Sequence, residues 1–234
     1  SSFKLFKHLD KVNEWYENGD IYPLQADLDL TNVCNERCPL CIGTGLDNKE
    51  NSIIPFEKVK DIIYQLKEIG IKSFGLGGGG DPSLHPKLAD IIRLIKAEGM
   101  ESGIYTNCYK LSDDVIDAII NCCTYLRVSL DADGPELYKI THGMDEKAFY
   151  AVIANVKKLV SLKHKFNKDI AIGINFLVGP HTYKGIYNAA KLSKELGVDY
   201  IRIRPFYNNS GVKSTTEEES KIMNDQLSNC FTLQ

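Results

Sequence analysis

Cys34, Cys38 and Cys41 stand three and then two residues apart within TNVCNERCPLCIGTG (31–45). Thiolates are soft ligands, so three on one short loop point to zinc or to an iron–sulfur cluster. A structural zinc takes four protein ligands, and so does a closed cluster. This loop supplies three. Two bland arrangements fit the count: three cysteines packed in a core, or a zinc site that borrows His85 as its fourth ligand. The flanking Asn35, Glu36, Arg37 and Pro39 are polar or loop-forming and fit a buried stretch poorly. The third arrangement is a cubane cluster with one iron left free of protein. An open coordination position of that kind is what makes a catalytic metal reactive.

The other residues suited to chemistry lie at regular intervals: GGGGDPSLHP (77–86), TNC (106–108), SLDADGP (129–135), Asn175 and Arg204-Pro205. The elements that position them read as an alternation. A leading helix covers 3–19 and stops at Gly19. Strands are expected at 24–31, 71–76, 101–106, 125–130, 170–178 and 200–206, from period-two patterns or short β-rich runs. Helices are expected at 55–70, 87–99, 112–122 with Ser112 as N-cap, 146–162 and 183–197. Such alternation implies a parallel sheet joined by crossovers.

Strand faces choose between a doubly wound sheet and a barrel. A parallel strand covered by helices on both sides is nearly all apolar. Here Asp27 and Asp29 share a face of the first strand, Tyr125, Arg127 and Ser129 of the fourth, and Tyr200, Arg202 and Arg204 of the sixth. The expectation is a partial (β/α)6, TIM-like barrel with a wet lumen and helices outside. Barrel enzymes carry their chemistry at the carboxyl ends of the strands, where all the segments above fall.

In order, LTNVCNERCPLC, GGGGDPSLHP, TNC and VSLDADGPELYKITHG resemble the radical S-adenosylmethionine (radical SAM) superfamily over residues 22–206. The resemblance implies a [4Fe–4S] cluster on Cys34, Cys38 and Cys41, whose open iron chelates the amino and carboxylate groups of S-adenosylmethionine (SAM). One electron then splits the sulfonium C–S bond into methionine and a 5′-deoxyadenosyl radical, which removes hydrogen from a substrate. It further implies that Gly79, Gly80 and Asp81 meet the methionine end, with Asp where the family has Glu. Thr106, Asn107, Ser129, Asp131 and Asn175 are implied near the cofactor. Leu40 replaces a commonly aromatic neighbour of the third cysteine. Cys108 replaces a glycine, either as a small substitute or as a hydrogen-atom donor, which would make it catalytic. A one-electron donor such as flavodoxin or ferredoxin is implied as partner. The substrate reads as a small molecule such as a sugar or nucleoside. The alternatives are a peptide-modifying maturase lacking an auxiliary domain, or a non-catalytic metal-binding module.

Arg127, Arg202 and Arg204 face the lumen on this reading, paired with Asp27 or Asp29, with SAM, or with an anionic substrate; Arg204, nearest the rim, is the ligand candidate. Tyr105, Tyr109, His142 and Tyr207 are candidates for the mouth. Cys122 and Cys123 fall at the opposite rim, and Cys230 stands alone. The 234 residues suit one domain at 22–209, with a helical extension at 1–21 and a polar tail at 210–234 where a further segment would begin. A net charge of -3 and pI near 6.0 give no nucleic-acid-coating surface. No apolar run reaches membrane-spanning length and no signal segment opens the chain. With seven cysteines, an odd count, the expected setting is a reducing cytoplasm.

Overall fold

A computed structural model describes residues 6–39, 41, 50–208, 211–212 and 216–233. Six parallel strands form one sheet in the order β1-β2-β3-β4-β5-β6. They are β1 (Gln25–Asp29), β2 (Ser73–Gly77), β3 (Glu101–Thr106), β4 (Tyr125–Ser129), β5 (Ala171–Val178) and β6 (Tyr200–Pro205). β1 and β6 remain the two edges, so this is the open, partial barrel that the polar strand faces require.

Helices α1 (Leu9–Asn18), α2 (Phe56–Glu68), α3 (Leu88–Ala97), α4 (Asp113–Cys122), α5 (Pro135–His142), α6 (Glu146–Lys165) and α7 (Ile186–Leu196) accompany the strands. Ser112 caps α4 as expected, its side chain accepting from Val115 N. The start of the leading helix differs: α1 begins at Leu9, and residues 1–5 lie outside the described set. α5 was not anticipated, although Pro135 at its first position and Gly143 in the left-handed conformation past its end bracket it as Pro and Gly should. β7 (Tyr207–Asn208) pairs with β8 (Gly211–Val212), and α8 (Glu217–Cys230) starts at a capping box between Thr216 and Glu219. Gln226 Oε1 on α8 accepts from Tyr187 N, tying it to α7.

The core lies between sheet and helices. Leu76, Ile104, Leu126, Val128, Ile172 and Ile174 point outward from the strands and are fully buried against Ile63, Ile92, Ile119, Val156 and their neighbours. Burying each such side chain contributes about 1.5–3 kcal/mol. The inward faces follow another rule, in which large rings lie over glycines. A Cβ on Gly103 would meet the Tyr125 ring at 2.0 Å, and one on Gly173 the Tyr200 ring at 2.2 Å. These tyrosines floor the lumen. Arg127 lies on that floor with its guanidinium 4.9 Å from the Tyr105 ring and 5.7 Å from that of Tyr125. Cation–π contact therefore supplies what was expected of Asp27 or Asp29, neither of which ion-pairs with Arg127 among the described residues.

Candidate active site

The carboxyl ends of β2–β6 and the cysteine loop after β1 open into a cavity of about 890 Å3. Cys34, Cys38 and Cys41 line one side, with Gly78, Gly80, Asp81, Thr106 and Asn107 beside them. Ser129, Asp131, Asn175 and Arg204 line the other side. Register explains that second group, since Ser129 pairs with Asn175 and Asn175 with Arg202 across β4, β5 and β6.

The cysteine loop is clasped at its base. Thr31 Oγ1 donates to Ser52 O at 2.8 Å, Asn32 N to the same carbonyl at 3.1 Å, and Ser52 N to Asn32 Oδ1 at 2.7 Å. The segment after β2 then runs alongside, with Gly80 N donating to Thr31 O and Asp81 N to Val33 O. The approach is so close that a Cβ on Gly80 would stand 2.1 Å from the Val33 carbonyl oxygen. Glycine is required there by contact, not by flexibility.

Asp81, 4% exposed, fastens β2 to β3. Its carboxylate accepts from Thr106 Oγ1 at 2.9 and 3.0 Å, from Asn107 N at 2.7 Å and from Ser83 N at 2.9 Å. Asn107 Nδ2 donates to Asn35 Oδ1 at 2.7 Å and so ties β3 to the cysteine loop. Asp131 is held differently. It sits at φ 43°, and its Oδ1 accepts from Leu177 N at 2.6 Å. Burial pushes its carboxyl up to about 7, with the Leu177 bond pulling the other way.

Glu36 turns inward from the loop and is 7% exposed. Its Oε1 accepts the Tyr138 hydroxyl, and its Oε2 lies 4.0 Å from Cys38 Sγ and 3.9 Å from His142 Nε2. Burial pushes the Glu36 carboxyl up to about 7, while the Tyr138 bond lowers it. Burial likewise raises the Cys34 and Cys38 thiols and drops His142 to about 4. Arg202 is lowered by burial and by the nearby positive charges of Arg127 and Arg204.

Several expectations change. Cys108 does not reach the cavity: it is fully buried in the apolar core, at φ 59°, with its carbonyl accepting from Asn155 Nδ2. A hydrogen-atom donor must face substrate, so this residue fills the place of a left-handed glycine instead. His85 cannot complete a zinc site, because Nε2 bonds Ile54 O at 2.8 Å and Nδ1 accepts from Lys87 N at 3.1 Å. The bond from Lys87 N instead places it at the start of α3. Tyr105 and His142 line the cavity, whereas Tyr109 packs against the core. Leu40 and the Tyr207 side chain lie outside the described residues. Glu36 and Tyr138 also belong to the site; the i, i+4 spacing of Tyr138 and His142 is the one sequence signal that points to them.

Three thiols line one cavity, on an open parallel barrel with polar groups at the strand ends, the face on which α/β barrels carry their chemistry. Residues 28–175, more than half of the chain, match the family model described as the Radical SAM superfamily. The chain belongs to the radical SAM superfamily, whose cofactors are a [4Fe–4S] cluster and SAM. A probable GTP 3',8-cyclase of Saccharolobus islandicus is 29% identical over 177 residues, covering 75% of this chain and 54% of the relative. The tungsten-containing aldehyde ferredoxin oxidoreductase cofactor-modifying protein of Pyrococcus furiosus is 28% identical over 180 residues, covering 75% and 49%. The chain thus spans about half the length of these relatives. In fold it is similar to Streptococcus suis SuiB bound to precursor peptide SuiA, with a TM-score of 0.74 at 16% identity over 100% of this chain and 52% of that one. It is also similar to anSMEcpe with bound AdoMet, with a TM-score of 0.68 at 17% identity over 90% and 60%. Enzymes of this superfamily need a reductant and a substrate. Among the described residues no helix is long and apolar enough to cross a membrane.

Proposed function

We propose that Cys34, Cys38 and Cys41 hold the cluster, leaving one iron open to SAM, and that the chain forms the catalytic core of an enzyme acting on a small molecule. The observation that carries this reading is the convergence of three thiols and five strand ends on one cavity. The donor set fits the group: three thiols, no fourth ligand from His85, and a glycine-lined wall against the loop. The chemistry supplied there is one-electron cleavage of SAM to methionine and a 5′-deoxyadenosyl radical that takes hydrogen from substrate.

This chain's residues bind, orient and exclude water. The backbone of Gly79 and Gly80, kept at close range by Asp81, faces the methionine end. Thr106 and Asn107 act through Asp81 and the loop, holding that wall rigid. Ser129, Asp131 and Asn175 offer hydrogen bonds to the ribose or carboxylate, and Arg204 offers a cation at the rim. A one-electron donor such as flavodoxin or ferredoxin is the proposed partner. A reducing cytoplasm suits the odd count of seven cysteines. The core comprises residues 22–209, with the N-terminal helix and the C-terminal segment appended to it. A nucleotide-sized substrate is supported by the cyclase relative; a peptide substrate is the second reading, suggested by the SuiB likeness in fold.

The test is anaerobic. Protein reconstituted with iron and sulfide, reduced with dithionite and given SAM should form 5′-deoxyadenosine, and Cys38→Ala should abolish it. Tight zinc in place of cluster absorbance, or full cleavage by Cys38→Ala, would overturn the assignment.

A further inference from the structure

α5 is fastened directly to the cysteine loop. At its end, His142 O accepts from Arg37 N at 3.0 Å. The next residue, Gly143, is left-handed at φ 65°, and a Cβ there would stand 2.6 Å from Arg37 O. The backbones of helix end and loop therefore touch, with no room for a side chain between them.

Beside this seam lies a dry polar cluster. Glu36, Tyr138 and His142 are 7%, 0% and 2% exposed. Tyr138 donates to Glu36 Oε1 and stacks on the His142 ring at 4.1 Å and 12°. His142 Nδ1 meets Thr141 Oγ1 at 2.8 Å, and Phe149 closes on Tyr138 edge-on at 5.6 Å. Burying a carboxylate is costly without partners. Here the Tyr138 hydroxyl and the Asn107 side chain both bond the carboxylate, and its Oε2 also lies 4.0 Å from Cys38 Sγ. A loop needing only to turn would leave Glu36 in water like its neighbour Arg37.

We propose that Glu36, held by Tyr138, is a positioning residue that fixes the Cys38 side chain and thereby the seating of the cluster. The inference rests on the ligand assignment made above. Partners just outside a ligand set orient the ligand, and their loss typically weakens metal retention by about 10- to 100-fold. Tyr138 acts through Glu36, and Glu36 acts through Cys38; neither is assigned contact with SAM or substrate.

The experiment uses the reconstituted full chain and reads two things besides turnover: the rate at which a ferrous chelator strips iron, and the EPR line shape of the dithionite-reduced cluster. Glu36→Ala should release iron about 10- to 100-fold faster with an altered line shape. Glu36→Gln, which keeps an acceptor for the Tyr138 hydroxyl, should recover most of both. Tyr138→Phe preserves shape and stacking, so it decides the matter if Glu36→Ala does not fold, and it should also speed iron release. Parental release rates and line shapes in Glu36→Ala or in Tyr138→Phe would overturn the proposal while leaving the cluster assignment intact. Failure of the unmodified chain to take up a cluster would instead overturn the assignment itself, and this inference with it.

Discussion

The two halves of the cavity rim use carboxylates in opposite ways. On the β1–β3 side, Asp81 accepts from Thr106, Asn107 and Ser83 and is filled by its neighbours. On the β4–β6 side, Asp131 accepts from Leu177 N, and among the described residues the side chains of Ser129, Asn175 and Arg204 make no hydrogen bond. Polar groups in a folded interior normally find partners. Where they are joined to one another they build a wall; where capacity is left over they face a ligand. On the proposed function, the first half is scaffold for the cysteine loop and the second half is the receiving surface.

The comparison breaks most readily at Asp81. Asp81→Ala strands a buried hydroxyl and two buried N–H groups, and should cost about 3 kcal/mol or more. A shift in the urea midpoint would record it, and a loss under about 0.5 kcal/mol, ordinary for a surface site, would erase the distinction. Gly80→Ala should follow at about 1–3 kcal/mol, since the Val33 carbonyl must move aside. It should also slow cluster reconstitution, measured as absorbance per chain.

Asp131→Asn tests the receiving side through pH. The folded carboxyl titrates near 7 against an ordinary value of 3.8. Between those values the folded state keeps a proton that the unfolded state gives up. Its stabilising effect is therefore full below the ordinary value and lost as pH rises through about 7, at up to about 1.4 kcal/mol per pH unit. The Asn variant should flatten that slope in denaturation curves from pH 4 to 7; an unchanged slope would remove Asp131 from its buried role. Arg204→Leu should alter stability least, within about 0.5 kcal/mol. It should nevertheless weaken SAM or substrate binding by about tenfold, as loss of one charged hydrogen bond would. Unchanged binding in calorimetry would return Arg204 to the scaffold.

Much of this was legible in the sequence. Period-two faces carrying Asp27, Arg127 and Arg202 announced an open barrel, and the order of the motifs placed the chemistry on one rim. Pairing beyond the strand pattern was not legible. Thr106 and Asn107 read as groups near the cofactor, and they do line the cavity; their bonds to Asp81, 25 residues back in the chain for Thr106, are what no local signal encodes. Cys108 read as either a small substitute for glycine or a hydrogen-atom donor; its left-handed φ and apolar surroundings favour the first. Arg127 suggested an ion pair, but the glycines opposite make room for rings, so aromatic faces receive it. α5 was hidden inside a motif quoted for its chemistry, and with it the contact between Glu36 and Tyr138.

The claim on which the rest depends is that the three-cysteine loop leaves one iron open for SAM. EPR of the reduced, reconstituted protein with and without SAM tests it most directly. The account predicts a changed g-tensor on SAM addition, lost when Cys34, Cys38 or Cys41 is replaced by Ala. A spectrum indifferent to SAM, from a protein carrying its full cluster, would contradict it.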